Sequence, residues 1–206
     1  MTSESSSSTL LEQAAEAVIT CSPQKPAAEE VVNELLKQEK VTSQQKQRSN
    51  LSQFVGTWRL CLITGTQKTR RKVGQALGAG RYIPNWIKIH LSYTESEEKK
   101  LNLEQFFETG QVENSVKFGA LILTLSGPIK LLDKKNILAF DFTRIQIDFF
   151  GKTFYKGSVR GGVKAEEKFY SDRINKQAFF AYFYIQEKAI AARGRGGGLA
   201  LWGREN

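Results

Sequence analysis

The feature that most constrains the fold of this chain is a period of two in its apolar residues, which begins near Phe54. In one segment Ile87, Ile89 and Leu91 alternate with polar residues, and similar segments recur at short intervals. Such alternation gives a β-strand one apolar face, whereas a helix needs a period of 3.6. About eight to ten strands at this spacing predict a mainly β protein whose antiparallel sheet closes into a barrel or forms a sandwich.

Charge and composition divide the chain near the same point. Residues 1–50 carry 5 basic and 7 acidic groups, whereas residues 51–206 carry 25 basic and 14 acidic groups. The first part is rich in Ser, Gln, Glu and Ala, and the second part in large apolar residues and Gly. We therefore predict a polar tail with short docking helices over 1–52 and a β-barrel domain over 53–206.

The first part of the chain predicts three short helices. Thr9 and Glu12 have the spacing of a capping box, and Val31, Val32 and Leu35 lie on one apolar helix face. Thr42-Ser43-Gln44-Gln45 is predicted to cap a third, short helix that includes Leu51. Because helices of this length are marginal alone in water, we expect them to dock on the barrel.

Several functional classes are disfavoured by composition. The two cysteines, Cys21 and Cys61, supply no disulfide framework and no four-ligand zinc site, and His90 is the single histidine. Asp141 and Asp148 have an odd separation on one apparent strand, which places them on opposite faces. We predict no catalytic residue, no metal and no cofactor. No run approaches the ~20 apolar residues of a membrane-spanning helix, and neither a signal nor a transit peptide is clear.

The segment from Arg193 to Gly198, which reads Arg-Gly-Arg-Gly-Gly-Gly, has three interpretations. A phosphate cradle requires a following helix, but Leu199–Trp202 predicts a strand. A disordered Arg-Gly RNA-binding segment is usually repeated, and this one is single. A glycine-rich turn between two strands is the favoured interpretation.

A basic stretch follows the first predicted strand and contains no acidic residue between Gln67 and Arg81. Near an anionic bilayer each Lys or Arg contributes at most ~1 kcal/mol, so such a stretch supports reversible docking. A solvated loop is the equally weighted alternative. The predicted docking residues are Lys68, Arg70, Arg71, Lys72 and Arg81.

A barrel of about eight strands has an interior that either is filled by side chains or holds one small ligand. Aromatic side chains are the candidates for either role. The predicted cavity residues are Trp58, Phe140, Phe142, Phe179, Phe183 and Tyr184. At the closed end we expect the Arg193 guanidinium to lie over the Trp58 indole, next to Gly56.

Three motifs in this order resemble the plastid lipid-associated protein (fibrillin) family: Gly56-Thr57-Trp58-Arg59-Leu60, Gly110-Gln111-Val112-Glu113-Asn114 and the stretch from Ala191 to Leu201. The Gly-x-Trp start is also similar to that of lipocalins. The resemblance covers about residues 50–204. It implies a lipocalin-like barrel that binds quinones, carotenoids or acyl lipids at thylakoids or plastoglobule lipid bodies of plastids or cyanobacteria.

The expected function is non-catalytic binding of a small hydrophobic molecule by a protein peripheral to an anionic membrane or lipid-body surface. The net charge of +9 also suits a second hypothesis, a nucleic-acid-binding barrel. A third hypothesis is a lipid isomerase or cyclase that uses Asp141 and Asp148.

Overall fold

The computed structural model describes residues 8–45, 48–65, 80–96, 100–102, 105–132 and 135–205. Twelve strands form one antiparallel system: β1 (Gly56–Ile63), β2 (Arg81–Tyr82), β3 (Ile87–Glu95), β4 (Lys100–Asn102), β5 (Gln105–Phe118), β6 (Leu121–Leu132), β7 (Ile137–Phe140), β8 (Arg144–Phe149), β9 (Lys152–Ser158), β10 (Ala178–Ile185), β11 (Ala189–Gly194) and β12 (Leu199–Arg204).

Eight of these strands close into a barrel, which confirms the predicted fold class. Their order around the barrel is β1-β3-β5-β6-β7-β10-β11-β12, and β12 pairs with β1 to complete the ring. Every neighbour in this ring is also the next barrel strand along the chain. The barrel is therefore an up-and-down barrel, as in lipocalins.

Only part of the long hairpin of β5 and β6 belongs to the barrel. Between Ile129 and Leu132, strand β6 pairs with β7, but between Leu121 and Ser126 it pairs with β8 instead. Strand β9 then pairs with β8. The half of the β5–β6 hairpin nearer its turn thus forms, with β8 and β9, a sheet that extends beyond the closed ring. We call this sheet the projection.

Gly127 lies where β6 changes its partner. A Cβ atom at this position would lie 2.2 Å from the carbonyl oxygen of Asp141, so only glycine permits this backbone approach. Gly127-Pro128 has the composition of a turn, yet β6 continues through both residues. The sequence alternates from Ile137 to Phe150 as one strand would, but the structure interrupts it after Phe140.

Two N-terminal helices pack on the outside of the barrel, α1 (Leu10–Ile19) against β1 and β12 and α2 (Ala28–Gln45) against β10. The predicted capping box of Thr9 and Glu12 is present. The predicted third helix does not begin at Thr42. This residue lies within α2, where its hydroxyl donates to the carbonyl of Phe183 at 2.7 Å. A short 3₁₀ turn, Leu51–Gln53, follows.

A third helix that the sequence did not predict, α3 (Gly162–Ser171), lies against β6. The buried amine of Lys130 donates to the carbonyls of Phe169, at 2.9 Å, and Asp172, at 2.8 Å, near the C-terminal end of this helix. Burial lowers the pKa of this amine to about 8. Lys130 thus satisfies carbonyls that the helix itself leaves unpaired.

The protein has two hydrophobic cores, one on each side of the barrel wall. The first lies between α1, α2 and the outer face of β1, β10, β11 and β12, and it includes Leu35, Cys61 and Leu201. The second fills the barrel interior around Trp58 and Trp202. Strands β11 and β12 lie between the two cores and bury both of their faces, which explains why their sequences are apolar without alternation.

Candidate ligand-binding site

One end of the barrel is closed by the 3₁₀ turn Leu51–Gln53 and the residue that follows it. The Phe54 ring lies 4.6 Å from the ring of Tyr182 inside the barrel. Its carbonyl accepts a hydrogen bond of 2.7 Å from the indole nitrogen of Trp58. Phe54 and Trp58 are fully buried, so this closed end excludes water.

Two tyrosines form a polar contact within the closed end. The hydroxyls of Tyr93 and Tyr182 share a hydrogen bond of 2.8 Å, and both side chains are buried. Burial raises the pKa of each phenol above its ordinary value. Both phenols are therefore neutral at physiological pH, and the contact satisfies two hydroxyls that would otherwise be buried without a partner.

The arginine over the Trp58 indole is Arg204, at 4.1 Å from the ring centroid, and not the predicted Arg193. The Arg204 guanidinium also donates to the carbonyls of Val55 at 3.0 Å and Glu187 at 2.7 Å. A Cβ atom on Gly56, whose φ is +126°, would lie 2.5 Å from this guanidinium. Gly56 and Trp58 thus occupy the predicted closed end, with an arginine from the last strand.

Arg193 instead connects the barrel to helix α2. Its guanidinium binds both carboxylate oxygens of Glu39 and donates to the carbonyl of Gly197 at 2.6 Å. The hydrogen bonds with Glu39 raise the pKa of Arg193. The prediction failed because β11 starts at the closed end, near Ala189, and reaches Arg193 only at the opposite end. The predicted glycine-rich turn between β11 and β12 is confirmed.

At the opposite end of the barrel, which we call the open end, an apolar wall continues from the barrel interior onto the inner face of the projection. Cross-strand register places Ile89, Val116, Leu123 and Ile147 side by side on four neighbouring strands. All four are only partly buried. The same wall includes Leu60, Ile87, Leu125, Ile145 and Phe180. The inner surface therefore changes from a sealed aromatic core to an accessible apolar lining.

Asn114 interrupts this apolar wall at one position. Its register partners are Leu91 on β3 and Leu125 on β6, and its side chain is partly buried. An amide among apolar side chains offers a donor and an acceptor to a bound molecule.

Three of the predicted cavity residues line the interior. Trp58 and Phe140 are buried there, and Phe142 is partly buried against them, with its ring 5.3 Å from that of Phe140. Trp58 lies in the sealed end, whereas Phe140 and Phe142 lie on the side of the open end. Their placement follows the alternation that predicted them.

The other three lie outside the barrel. Phe183 and Tyr184 belong to the core beneath the helices, and the Tyr184 hydroxyl shares a hydrogen bond of 2.7 Å with Thr9. Regular alternation from the inward-facing Tyr182 already turns Phe183 outward, and a β-bulge after Tyr182 places Tyr184 on the same outer side, so both predictions were wrong. Phe179 lies between the inward-facing Ala178 and Phe180, so it points outward.

The apolar wall was not identified as a site from the sequence, although its signal was present. Leu121, Leu123 and Leu125 recur at a period of two, as do Ile145 and Ile147, and this period is typical of a strand with an apolar face. Aromatic residues were preferred as candidates, but Trp58 lies in the sealed end and three of the other five lie outside the barrel. Partial exposure, which the sequence does not reveal, distinguishes the lining from the core.

The outer face of the projection is polar. It carries a cavity of about 450 Å³ whose lining includes Glu113, Ser126, Arg144 and Lys156. The projection thus separates an apolar inner face from a polar outer face, as expected for an antiparallel sheet that is solvated on one side.

The two aspartates considered for catalysis, Asp141 and Asp148, have separate partners. Asp141 pairs with Arg160 at 3.1 Å, whereas Asp148 accepts hydrogen bonds from Gln146 and Thr153. Over the described residues there is no cluster of His, Cys, Asp and Glu that could hold a metal ion. Within the same ranges no helix has the length and apolar character needed to span a membrane.

Of the predicted docking residues, Arg81 is exposed on β2, which pairs with the end of β1 at the open end of the barrel. Lys68, Arg70, Arg71 and Lys72 lie outside the described residues. Their role as docking residues stays a prediction.

Comparisons of the chain with protein-family models, with curated proteins and with solved structures found no match. The resemblance to the fibrillin family therefore stays a prediction from the three motifs, and the function is argued from the geometry of the barrel.

Proposed function

We propose that this protein binds a small, mainly apolar molecule at the open end of its barrel, against the inner face of the projection. The observation that carries the proposal is the partly exposed apolar wall on the inner face of β3, β5, β6 and β8. Exposed apolar surface in a concave site is the usual feature of a ligand pocket, and burying it under a ligand is favourable at about 25 cal/mol per Å².

The chemistry of the wall favours one class of ligand. Most lining side chains are aliphatic, so the body of the ligand is a hydrocarbon chain or ring system. The amide of Asn114 can hydrogen-bond a hydroxyl, carbonyl or carboxyl group of that ligand. Acyl lipids, quinones and oxygenated carotenoids have this combination, and a binding or carrier role requires no catalytic group.

Two adjacent residues of β6 provide a matched test. Leu123 lies on the inner apolar wall and Ile122 on the outer face, and both are partly buried. We expect Leu123→Gln to weaken the binding of a fluorescent fatty acid about tenfold, because the amide loses its hydration against an apolar ligand. Ile122→Gln should change the dissociation constant less than threefold.

The measurement is a fluorescence titration with both variants checked for native circular dichroism. Native mass spectrometry of the protein purified from its source should also show a co-purifying apolar molecule. Equal loss of affinity in both variants, or no fatty-acid binding by the parent protein, would contradict the proposal.

A further inference from the structure

Six large apolar side chains project into solvent at the tips of the strands around the open end. We call this set the apolar rim: Trp86, Phe118, Leu121, Phe149, Phe150 and Phe154. They are 41–85% exposed, and Phe154 is the most exposed of them. Assuming ~200 Å² for each free side chain, the rim presents about 700 Å² of apolar surface, which exceeds the ~300–600 Å² of the largest patch on a typical monomer.

The rim is continuous from the start of β3 across the tips of the β5–β6 and β8–β9 hairpins. The rings of Trp86 and Phe118 are 5.4 Å apart, and Phe118 lies opposite Leu121 in the β5–β6 register. Leu121 in turn lies opposite Phe149, whose ring is 4.6 Å from that of Phe150. Contacts of this kind make one surface rather than a set of isolated exposed residues.

Folding alone does not account for the residue at the tip of the β8–β9 hairpin. Phe150 and Gly151 have φ values of +50° and +74° in this two-residue turn. A left-handed backbone favours Asn, Asp or Gly, and it strains a bulky residue such as Phe. An aromatic ring that is 76% exposed is thus held at a position where it destabilises the turn.

A second irregularity exposes another ring nearby. Ile147 pairs with Tyr155 but the next residue, Asp148, pairs with Thr153, so Phe154 is the extra residue of a β-bulge. It is 85% exposed. Both departures from regular hairpin geometry therefore place a phenylalanine in solvent.

Exposed cations accompany the rim. Lys88 and Lys117 lie directly opposite each other on β3 and β5, an arrangement of like charges that is unfavourable in a sheet. Lys152 lies opposite Phe149 at the hairpin tip, and Arg81 is exposed on the adjoining β2. The acidic group in this region, Asp148, is occupied by hydrogen bonds with Gln146 and Thr153.

We propose that the apolar rim is a docking surface for an anionic lipid bilayer. Trp and Phe side chains insert into the headgroup region of a membrane, and flanking lysines bind anionic headgroups. In this orientation the open end faces the bilayer, and the apolar wall of the barrel continues the hydrocarbon environment. The inference extends the proposed function, because a ligand then enters the barrel without crossing water.

The strained turn gives a test in which stability and docking change in opposite directions. Phe150→Asn relieves the left-handed strain, so its melting temperature should rise or remain unchanged. Its partition onto vesicles of phosphatidylglycerol and phosphatidylcholine should fall about fivefold, and adding Phe154→Ser should bring the loss to tenfold or more. Val163→Ser is the matched control, since Val163 is 64% exposed on α3, away from the rim. It should leave flotation unchanged.

Trp86 reports docking directly. It is 63% exposed, whereas the other two tryptophans, Trp58 and Trp202, are buried. Emission from Trp86 should shift to shorter wavelength on addition of anionic vesicles and be quenched by brominated lipids. Trp86→Phe should abolish this change while the protein still floats with the vesicles.

The docking claim and the ligand claim fail separately. Flotation of Phe150→Asn/Phe154→Ser at the level of the parent would overturn docking through the rim, as would unchanged Trp86 emission in vesicle-bound protein. Rim-dependent dimerisation or RNA binding without vesicle binding would overturn it too. Fatty-acid binding in vesicle-free solution should be retained in the rim variants, and its loss in all proteins would contradict only the proposed function.

Discussion

Replacing Arg204 by alanine tests the assignment of the closed end. Arg204 donates two hydrogen bonds to backbone carbonyls and covers the buried Trp58 indole at 4.1 Å. Each charged hydrogen bond contributes roughly 1.5 kcal/mol and the cation–π contact about 1 kcal/mol. Partial solvent exposure of the guanidinium reduces the sum to about 3 kcal/mol.

For a chain of this length, a loss of about 3 kcal/mol lowers the melting temperature by roughly 6–12 °C. Thermal unfolding followed by circular dichroism measures this change. Arg204→Lys retains the charge but not the planar fork, so about half of the loss should be recovered.

Arg193→Ala is the comparison, because the sequence placed this residue at the closed end. Its ion pair with Glu39 is about 28% exposed and connects α2 to the barrel surface. We expect a cost of about 1–2 kcal/mol. A melting temperature lowered more by Arg193→Ala than by Arg204→Ala would refute the assignment of Arg204.

Two further predictions concern buried ionisable groups. Burial raises the pKa of Cys61 to about 12, whereas Cys21 is exposed, so a thiol reagent at neutral pH should modify one cysteine in the native protein and two in urea, and only Cys21→Ser should abolish the native reaction. The folded state keeps the protons of Tyr93 and Tyr182 above pH 10, where unfolded tyrosines release them. The free energy of unfolding should therefore fall above pH 10, by about 1.4 kcal/mol per pH unit for each tyrosine. Urea titrations should show a shallower fall in Tyr182→Phe, and parallel curves would contradict this account.

The sequence predicted the strands well because the apolar period of two is a local property. In β3, the alternation of Ile87, Ile89 and Leu91 identified both the strand and its inward face. The number and spacing of the strands left a barrel and a sandwich open, and the resemblance to lipocalin-like barrels favoured the barrel. The capping box at Thr9 marked the start of α1 for the same reason, since its residues contact one another.

The errors arose where tertiary contacts override local pattern. A bulge of one residue in β10 moved Tyr184 to the outer core, next to Phe183, and no sequence signal marks a bulge without Gly. Gly127-Pro128 has the composition of a turn, yet Gly127 serves the close approach of Asp141. The pairing of Trp58 with Arg204 depends on the direction of the last strand. The exposed rings of the rim depend on hairpin ends that composition does not locate.

The bulge in β10 leaves this strand without a solvent-facing side. Tyr182 lies in the barrel interior, and the two residues after it lie beneath the helices. A polar substitution at any of these consecutive positions of β10 would therefore be buried. In β9 most side chains are exposed, so substitutions there disturb the packing less. Substitutions that change ligand preference are therefore easier to accommodate in the projection than along β10. A substitution in β10 alters the packing of the barrel interior and of the helices together.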